Sequence, residues 1–168
     1  GSEMCIRDRN TLVRISEGFA GYNTDMPGLY RAMSSEGIEI QGQDVILLGA
    51  GGAARAVAFL CASKGVNKVY LLNRSLEKAL IVAEEVNRKA GRECIYPMAL
   101  AEYKYLPEKS FLAIQATSVG LYPEIERAVI EEQDFYSRIH TGYDLIYKPA
   151  DTKFMQLVSC LLYTSDAA

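Results

Sequence analysis

Residues 44–56 read DVILLGAGGAARA, and residues 69–75 read VYLLNRS. The apolar run Val45–Leu48 is bounded by polar residues and glycine, which is typical of a short strand buried on both faces. The alanine-rich segment after the glycines, from Ala53 to about Ser63, predicts a helix with a small-residue face that can lie close to a sheet. The run Lys68–Leu72 then predicts a second strand. This strand–turn–helix–strand order is the unit from which parallel sheets are built.

The rest of the chain continues the alternation of helices and strands. A short hairpin is predicted first, and a helix then begins at Thr24 as N-cap and runs to about Ser35. A long amphipathic helix is predicted at Leu76–Lys89, with Leu80, Ala83 and Val86 on its inner stripe. The further predicted strands are Leu12–Ile15 and Phe19–Tyr22 in the hairpin, Cys94–Tyr96, Phe111–Ala116 and Gly142–Ile146. We therefore expect an α/β fold, a Rossmann-like doubly wound and mainly parallel sheet with helices on both faces.

Composition narrows the class of protein. A chain of 168 residues with 49% hydrophobic and 23% charged residues has the composition of a globular domain. The net charge of −3 argues against a nucleic-acid partner. The sequence shows neither a membrane-spanning apolar stretch nor a signal peptide, so no membrane partner is expected. The four cysteines form no CxxC pair and no cluster with the single histidine, which argues against a metal site and favours a reducing, cytoplasmic setting.

The glycine turn predicts a dinucleotide site. Residues 49–54 fit the pattern G-x-G-x-x-A between a strand and a helix. Gly49 allows the sharp turn, Gly51 lets a pyrophosphate approach the backbone, and Ala54 keeps the helix close to the strand. The free N–H groups at the helix start then face the phosphates. The cofactor-binding residues expected here are Gly49, Ala50, Gly51, Gly52 and Ala53. A tight turn of purely structural use is the alternative.

The end of the second strand indicates which dinucleotide binds. NAD-binding folds usually carry an acidic residue there, which accepts hydrogen bonds from the ribose 2′-hydroxyl. This chain has Asn73, Arg74 and Ser75 instead, with Lys78 one helical turn later. A guanidinium can form a charge-assisted pair with a 2′-phosphate, so the sequence favours NADP. A solvated arginine at a strand end is the alternative.

Thr117 and Ser118 follow the strand Phe111–Ala116 and so fall at the carboxyl edge of the sheet, where doubly wound folds place their ligands. Their hydroxyl and N–H groups could meet the ribose or the pyrophosphate of the dinucleotide. A plain turn at the strand exit is the alternative.

The two ends of the chain look foreign to the domain. Gly1 and Ser2 resemble the remnant of a protease cleavage site, and residues 1–9 and 159–168 do not continue the periodic pattern beside them. We expect both to be non-native flanks around a domain that covers residues 10–158.

The domain resembles the cofactor-binding half of the shikimate dehydrogenase family. Its motifs occur in the family's order at residues 10–11, 21–25, 49–53, 73–75, 117–120 and 143–149. The resemblance implies NADP-dependent reduction of 3-dehydroshikimate to shikimate, on the route to aromatic amino acids.

The resemblance also implies roles for individual residues. Asp25 would pair with a lysine of an N-terminal substrate domain at the reacting oxygen, as the catalytic and substrate-binding carboxylate. A carboxylate that orients a lysine is chemically suited to ketone reduction, although a first-turn carboxylate favoured by the helix dipole is the alternative. Asn10 and Tyr147 would bind substrate, and Leu145 would lie against the nicotinamide.

Two departures from the family qualify these expectations. Gln115 stands where the family usually has Asn, and this longer amide is expected to shift local contacts. The substrate domain with its Asn-Val-Thr-x-Pro-x-Lys segment is absent from the sequence, as are the family's final helices after Val158. We therefore expect a fragment that binds NADP weakly and has negligible activity. The oligomeric state is not readable from the sequence.

Other functions share some of these features. A free-standing NADP-binding module without catalysis is one, and a quinate/shikimate dehydrogenase that uses NAD is another. A glutamyl-tRNA reductase or a methylene-tetrahydrofolate dehydrogenase domain could share the glycine turn, but would not be expected to carry both residues 23–25 and residues 143–149 as they stand here.

Overall fold

The computed structural model describes residues 11–14, 26–117, 130–145 and 153–158. Within them, six strands form one sheet in which every neighbouring pair is parallel. The strands are β1 (Thr11–Arg14), β2 (Asp44–Leu48), β3 (Lys68–Asn73), β4 (Ile95–Ala99), β5 (Phe111–Gln115) and β6 (Ile139–Asp144). The helices are α1 (Met26–Ser35), α2 (Gly52–Ser63), α3 (Leu76–Ala90), a 3-10 helix (Leu100–Tyr105) and α4 (Gln133–Tyr136), and residues 153–158 are also helical.

The strand order places a crevice at the centre of the sheet. The order is β1-β6-β5-β2-β3-β4, so the chain runs outward from β2 through β3 to β4 and then returns to β5 on the other side of β2. The connections from β2 and β5 therefore diverge. In doubly wound sheets this switch point is where ligands bind, outside the carboxyl ends of the strands. The predicted Rossmann-like fold class is confirmed.

The sheet is covered by apolar residues on both faces, because successive residues of a strand point to opposite sides. Val45 and Leu47 of β2 pack under α1, α2 and α3, whereas Ile46 and Leu48 pack with the opposite layer. Six of the fifteen buried residues of that second layer are aromatic, and Phe135 and Tyr136 of α4 are both fully buried in it. Both faces of β2 are thus removed from water, as its apolar run predicts.

Helix α3 shows how local signals and packing combine. Ser75 caps its start, its hydroxyl accepting a hydrogen bond from the N–H of Lys78 at 3.3 Å, and Gly91 ends it in a left-handed conformation with φ of 73°. The prediction that Leu80 lies on the inner stripe is wrong, because Leu80 is 49% exposed. The buried stripe is Ala79, Val82, Ala83 and Val86.

Three other elements differ from the prediction. β1 pairs in parallel with β6, and the predicted partner strand at Phe19–Tyr22 lies outside the described residues. The 3-10 helix and α4 were not predicted, because both are too short to show a helical period. β6 begins at Ile139, earlier than the predicted Gly142, because the polar residues at 140 and 141 interrupt the apolar pattern that predicts a strand. Among the described residues, no helix is both long enough and apolar enough to cross a bilayer.

Candidate dinucleotide-binding site

Gly49 makes the first turn after β2 and touches the exit of β5. Its φ is +119°, in the region that disfavours side chains, and its N–H donates to the carbonyl oxygen of Leu72 at 2.9 Å. A Cβ at this position would lie 2.9 Å from the carbonyl oxygen of Ala116 and 3.2 Å from Cγ2 of Thr117. Glycine is therefore required at residue 49 by the protein's own backbone.

Gly51 faces open space. It is the N-cap of α2, with φ −90° and ψ −163°, and a Cβ built on it meets nothing within 4 Å. The helix starts without a side-chain cap hydrogen bond. Because the first N–H groups of a helix have no acceptor inside it, α2 presents donors and the positive end of its dipole to this space. Donors and a positive dipole end of this kind suit a phosphate group.

The exit of β3 carries two exposed cations. The Asn73 side chain donates to the carbonyl oxygen of Ser75 at 3.0 Å and so shapes the turn into α3. Arg74 and Lys78 lie on either side of the Ser75 cap and are both exposed. In the described part of the chain, the Arg74 side chain has no ion-pair partner, so its guanidinium is available to an anion at this edge.

Arg55, in the first turn of α2, is already engaged. Its guanidinium forms an ion pair with Glu85 of α3 and lies 5.2 Å from the centre of the Phe59 ring. The hydrogen bond to Glu85 raises the pKa of Arg55, and the same bond lowers the pKa of Glu85. This pair joins α2 to α3, which leaves Arg74 and Lys78 as the better placed cations for a ligand.

The exit of β5 is held by a buried amide. Gln115 is only 1% exposed, and its Oε1 accepts hydrogen bonds from both the N–H of Thr117 at 2.8 Å and the Thr117 hydroxyl at 2.6 Å. The N–H of Ala116 donates to the carbonyl oxygen of Leu48 at 2.9 Å. Thr117 is thus fixed directly beside the glycine turn.

The end of β6 lies next to this amide. The N–H of Leu145 donates to the carbonyl oxygen of Gln115 at 3.1 Å, and Asp144 is the register partner of Gln115. Leu145 packs into the apolar layer of α1 and α2, and Asp144 is fully buried. No role was predicted for Asp144, although an acidic residue inside the predicted strand Gly142–Ile146 is a signal that could have drawn notice.

The structure brings most predicted cofactor residues to one edge. The residues that lie at the carboxyl ends of β2, β3, β5 and β6 are Gly49, Ala50, Gly51, Gly52, Ala53, Asn73, Arg74, Ser75, Lys78, Thr117 and Leu145. Asn10, Asp25, Ser118 and Tyr147 lie outside the described residues. No group of three or more His, Cys, Asp or Glu residues within the described ranges could hold a metal ion.

The family model and the curated relatives that match this chain carry related enzyme names. A family model described as shikimate/quinate 5-dehydrogenase matches residues 32–129. A shikimate dehydrogenase (NADP(+)) from Caldanaerobacter subterraneus is 33% identical over 147 residues, which cover 88% of this chain and 51% of the relative. The chain thus spans about half the length of the curated relatives it matches.

Solved structures share the fold. Shikimate 5-dehydrogenase from Listeria monocytogenes, crystallised with shikimate and NAD, superposes with a TM-score of 0.72 at 25% identity, over 82% of this chain and 50% of that one. A shikimate dehydrogenase in complex with NADP+ superposes with a TM-score of 0.67 at 27% identity, over 83% of this chain and 48% of that one.

Proposed function

The chain belongs to the shikimate/quinate 5-dehydrogenase family, and from this we propose that it forms the NADP-binding half of a shikimate dehydrogenase. The observation that carries the proposal is the open space in front of Gly51 and the start of α2. This space lies at the switch point of the sheet, where a pyrophosphate would meet N–H donors and the positive end of the helix dipole.

The cations at the end of β3 support NADP over NAD. Arg74 can form a bidentate, charge-assisted pair with a 2′-phosphate, and Lys78 adds a second positive charge one turn into α3. No acidic residue occupies residues 73–75, where NAD-binding folds usually carry one. NAD remains the second candidate because the Listeria monocytogenes neighbour was crystallised with it.

The proposed reaction is the reduction of 3-dehydroshikimate to shikimate. A bound NADPH would provide the hydride for the carbonyl carbon, and the protein must bring a proton to the carbonyl oxygen. The family resemblance assigns to Asp25 the carboxylate that orients a lysine at that oxygen, and it assigns substrate contacts to Asn10 and Tyr147. Such a pair would stabilise the developing alkoxide and deliver the proton.

A polypeptide of these 168 residues should bind NADP+ without appreciable catalysis, because the resemblance assigns the lysine to a segment, Asn-Val-Thr-x-Pro-x-Lys, that does not occur among them. The measurement is NADPH absorbance with shikimate and NADP+ present. Shikimate-dependent NADPH formation well above a blank without enzyme would contradict this expectation.

Replacement of Arg74 tests the choice of cofactor. We expect R74A to weaken NADP+ binding by roughly tenfold or more, because a charge-assisted pair with the 2′-phosphate is lost, and to leave NAD+ binding nearly unchanged. Binding of both dinucleotides is measured by titration calorimetry. The matched control is R88A, which removes an exposed arginine at the other end of α3 and should change neither affinity. Equal effects of R74A on NADP+ and NAD+ would contradict the assignment.

A further inference from the structure

We propose that Glu85 is a positioning residue that competes with the pyrophosphate of the dinucleotide for the guanidinium of Arg55, and so lowers the affinity of the protein for the dinucleotide. The inference rests on the proposed function, because it takes a pyrophosphate at the start of α2 as given. It adds a charged pair outside the glycine turn that sets how tightly this pyrophosphate is held.

Arg55 stands one helical turn from the glycine turn. Its backbone N–H donates to the carbonyl oxygen of Gly51 at 2.9 Å. Side chains on a helix lean toward the N-terminal end of that helix. One turn rises about 5.4 Å, a distance that an arginine side chain can span. The guanidinium of Arg55 can therefore reach an anion in front of Gly51 by rotation about its own side-chain bonds.

In the structure this guanidinium is held at the groove between α2 and α3. It forms an ion pair with Glu85, and it lies 5.2 Å from the centre of the Phe59 ring, one turn further into α2. Glu85 stands more than two turns from Leu76, where α3 begins at the cofactor edge of the sheet. A guanidinium paired at this place has less of its charge available to an anion at the start of α2.

Lys89 provides a second cation for the groups that hold Arg55. Its Nζ lies 3.6 Å from the carboxylate of Glu85 and 5.3 Å from the centre of the Phe59 ring. Both groups therefore keep a positive partner when Arg55 turns away. The side chains of Arg55 and Lys89 are 45% and 55% exposed, and ion pairs at such exposure contribute little to stability. The free-energy difference between the two positions of Arg55 is therefore small, and the charge of Glu85 decides between them.

Removal of that charge tests the competition. E85Q keeps the size of the side chain, and we expect it to tighten binding of both NADP+ and NAD+ by about 2- to 5-fold. The two gains should be equal, because both ligands contain the pyrophosphate. Titration calorimetry on the 168-residue chain measures both affinities. The matched control is E84Q, which removes the same charge from the exposed neighbouring residue of α3 and should leave both affinities nearly unchanged.

The double variant R55M/E85Q shows whether Glu85 acts through Arg55. If it does, the double variant binds both dinucleotides no more tightly than R55M alone. Urea unfolding and circular dichroism check that each variant is folded at the temperature of the titration. A pair that only joins α2 to α3 would lower the free energy of unfolding in E85Q without any gain in dinucleotide affinity.

Each outcome has a defined meaning. No gain in E85Q beyond that of E84Q, a gain that persists without Arg55, or a gain confined to NADP+ would overturn the inference. Failure of the unaltered chain to bind either dinucleotide would instead overturn the proposed function, and the inference with it.

Discussion

At the scale of the residue, Gly49 and Gly51 of the glycine turn differ in what the surrounding protein requires of them. Gly49 is required by the fold, because its φ is positive and its hydrogen points at the backbone of Ala116. Gly51 has an extended backbone that other residues adopt and has free space around it. Among the described residues no contact requires glycine at residue 51, whereas a bound phosphate would, so the two positions should respond differently to the same substitution.

Alanine at each glycine should separate stability from binding. We expect G49A to lower the free energy of unfolding by about 1–3 kcal/mol, because of its strained backbone and the close contact with Ala116. G51A should change it by less than about 0.5 kcal/mol, yet weaken NADP+ binding by roughly tenfold or more. Urea unfolding and titration calorimetry measure the two effects. A G51A variant that binds like the unaltered chain would count against a phosphate at this turn.

At the scale of the element, the connection from α3 to β4 depends on one side chain. Asn87 accepts hydrogen bonds from the N–H groups of Cys94 and Ile95 at 3.0 and 2.9 Å, and it donates to the carbonyl oxygen of Ile95 at 3.0 Å. These three bonds hold the start of β4 to the last turns of α3. The sequence gives no sign of them, because an asparagine on a helix is most often solvated.

Loss of the Asn87 side chain should be costly. We expect N87A to reduce the free energy of unfolding by about 2–3 kcal/mol, since it leaves backbone groups of a partly buried connection without partners. N87D, which keeps the acceptor but loses the donor, should lie between. The control is N67A, because Asn67 makes a single exposed hydrogen bond to Asp44 and should cost less than about 1 kcal/mol. Similar losses for N87A and N67A in urea unfolding would refute this view of the connection.

Some of these features could be predicted from the sequence because the local residue pattern determines them, and others could not because packing determines them. The run Val45–Leu48 and the glycines after it predict a strand and a turn because buried apolar residues and positive φ leave a local signature. The rotation of α3 has no such signature, because stripes through Leu80 and through Ala79 both fit a helical period. Packing distance decides between them, and the small Ala79 lets the helix approach the sheet more closely than Leu80 would.

At the scale of the whole molecule, the stability between pH 7.5 and 5 should depend on the single histidine of the chain. His140 is half-buried at the start of β6, with Nδ1 2.8 Å from the Thr141 hydroxyl, and burial lowers the pKa of its imidazole below 6.5. His140 lines a recess of the protein together with Glu36 and Glu39. The unfolded chain therefore takes up a proton at a higher pH than the native state does.

The free energy of unfolding should therefore fall as the pH drops below about 6.5, and it should level off once the native imidazole is also protonated. No change from this group is expected above that range, where it is neutral in both states. The measurement is urea unfolding at intervals between pH 7.5 and 5. Because the chain has one histidine, H140Q should flatten the slope just below pH 6.5. A variant that keeps the full slope would show that other groups cause it.

The pairing of β1 with β6 has a consequence for how the chain acquires its shape during synthesis. Thr11 and Thr141 are neighbours in the sheet, although β2, β3, β4 and β5 all come between them along the chain. A ribosome adding about 5–20 residues per second needs on the order of ten seconds to pass from one to the other. The four intervening strands can pair among themselves in that time, because β2, β3, β4 and β5 are neighbours in the sheet and are all synthesised before β6. Among the described residues β6 is the strand that pairs with β1, and it must leave the exit tunnel first, so this edge of the sheet should be the last to form.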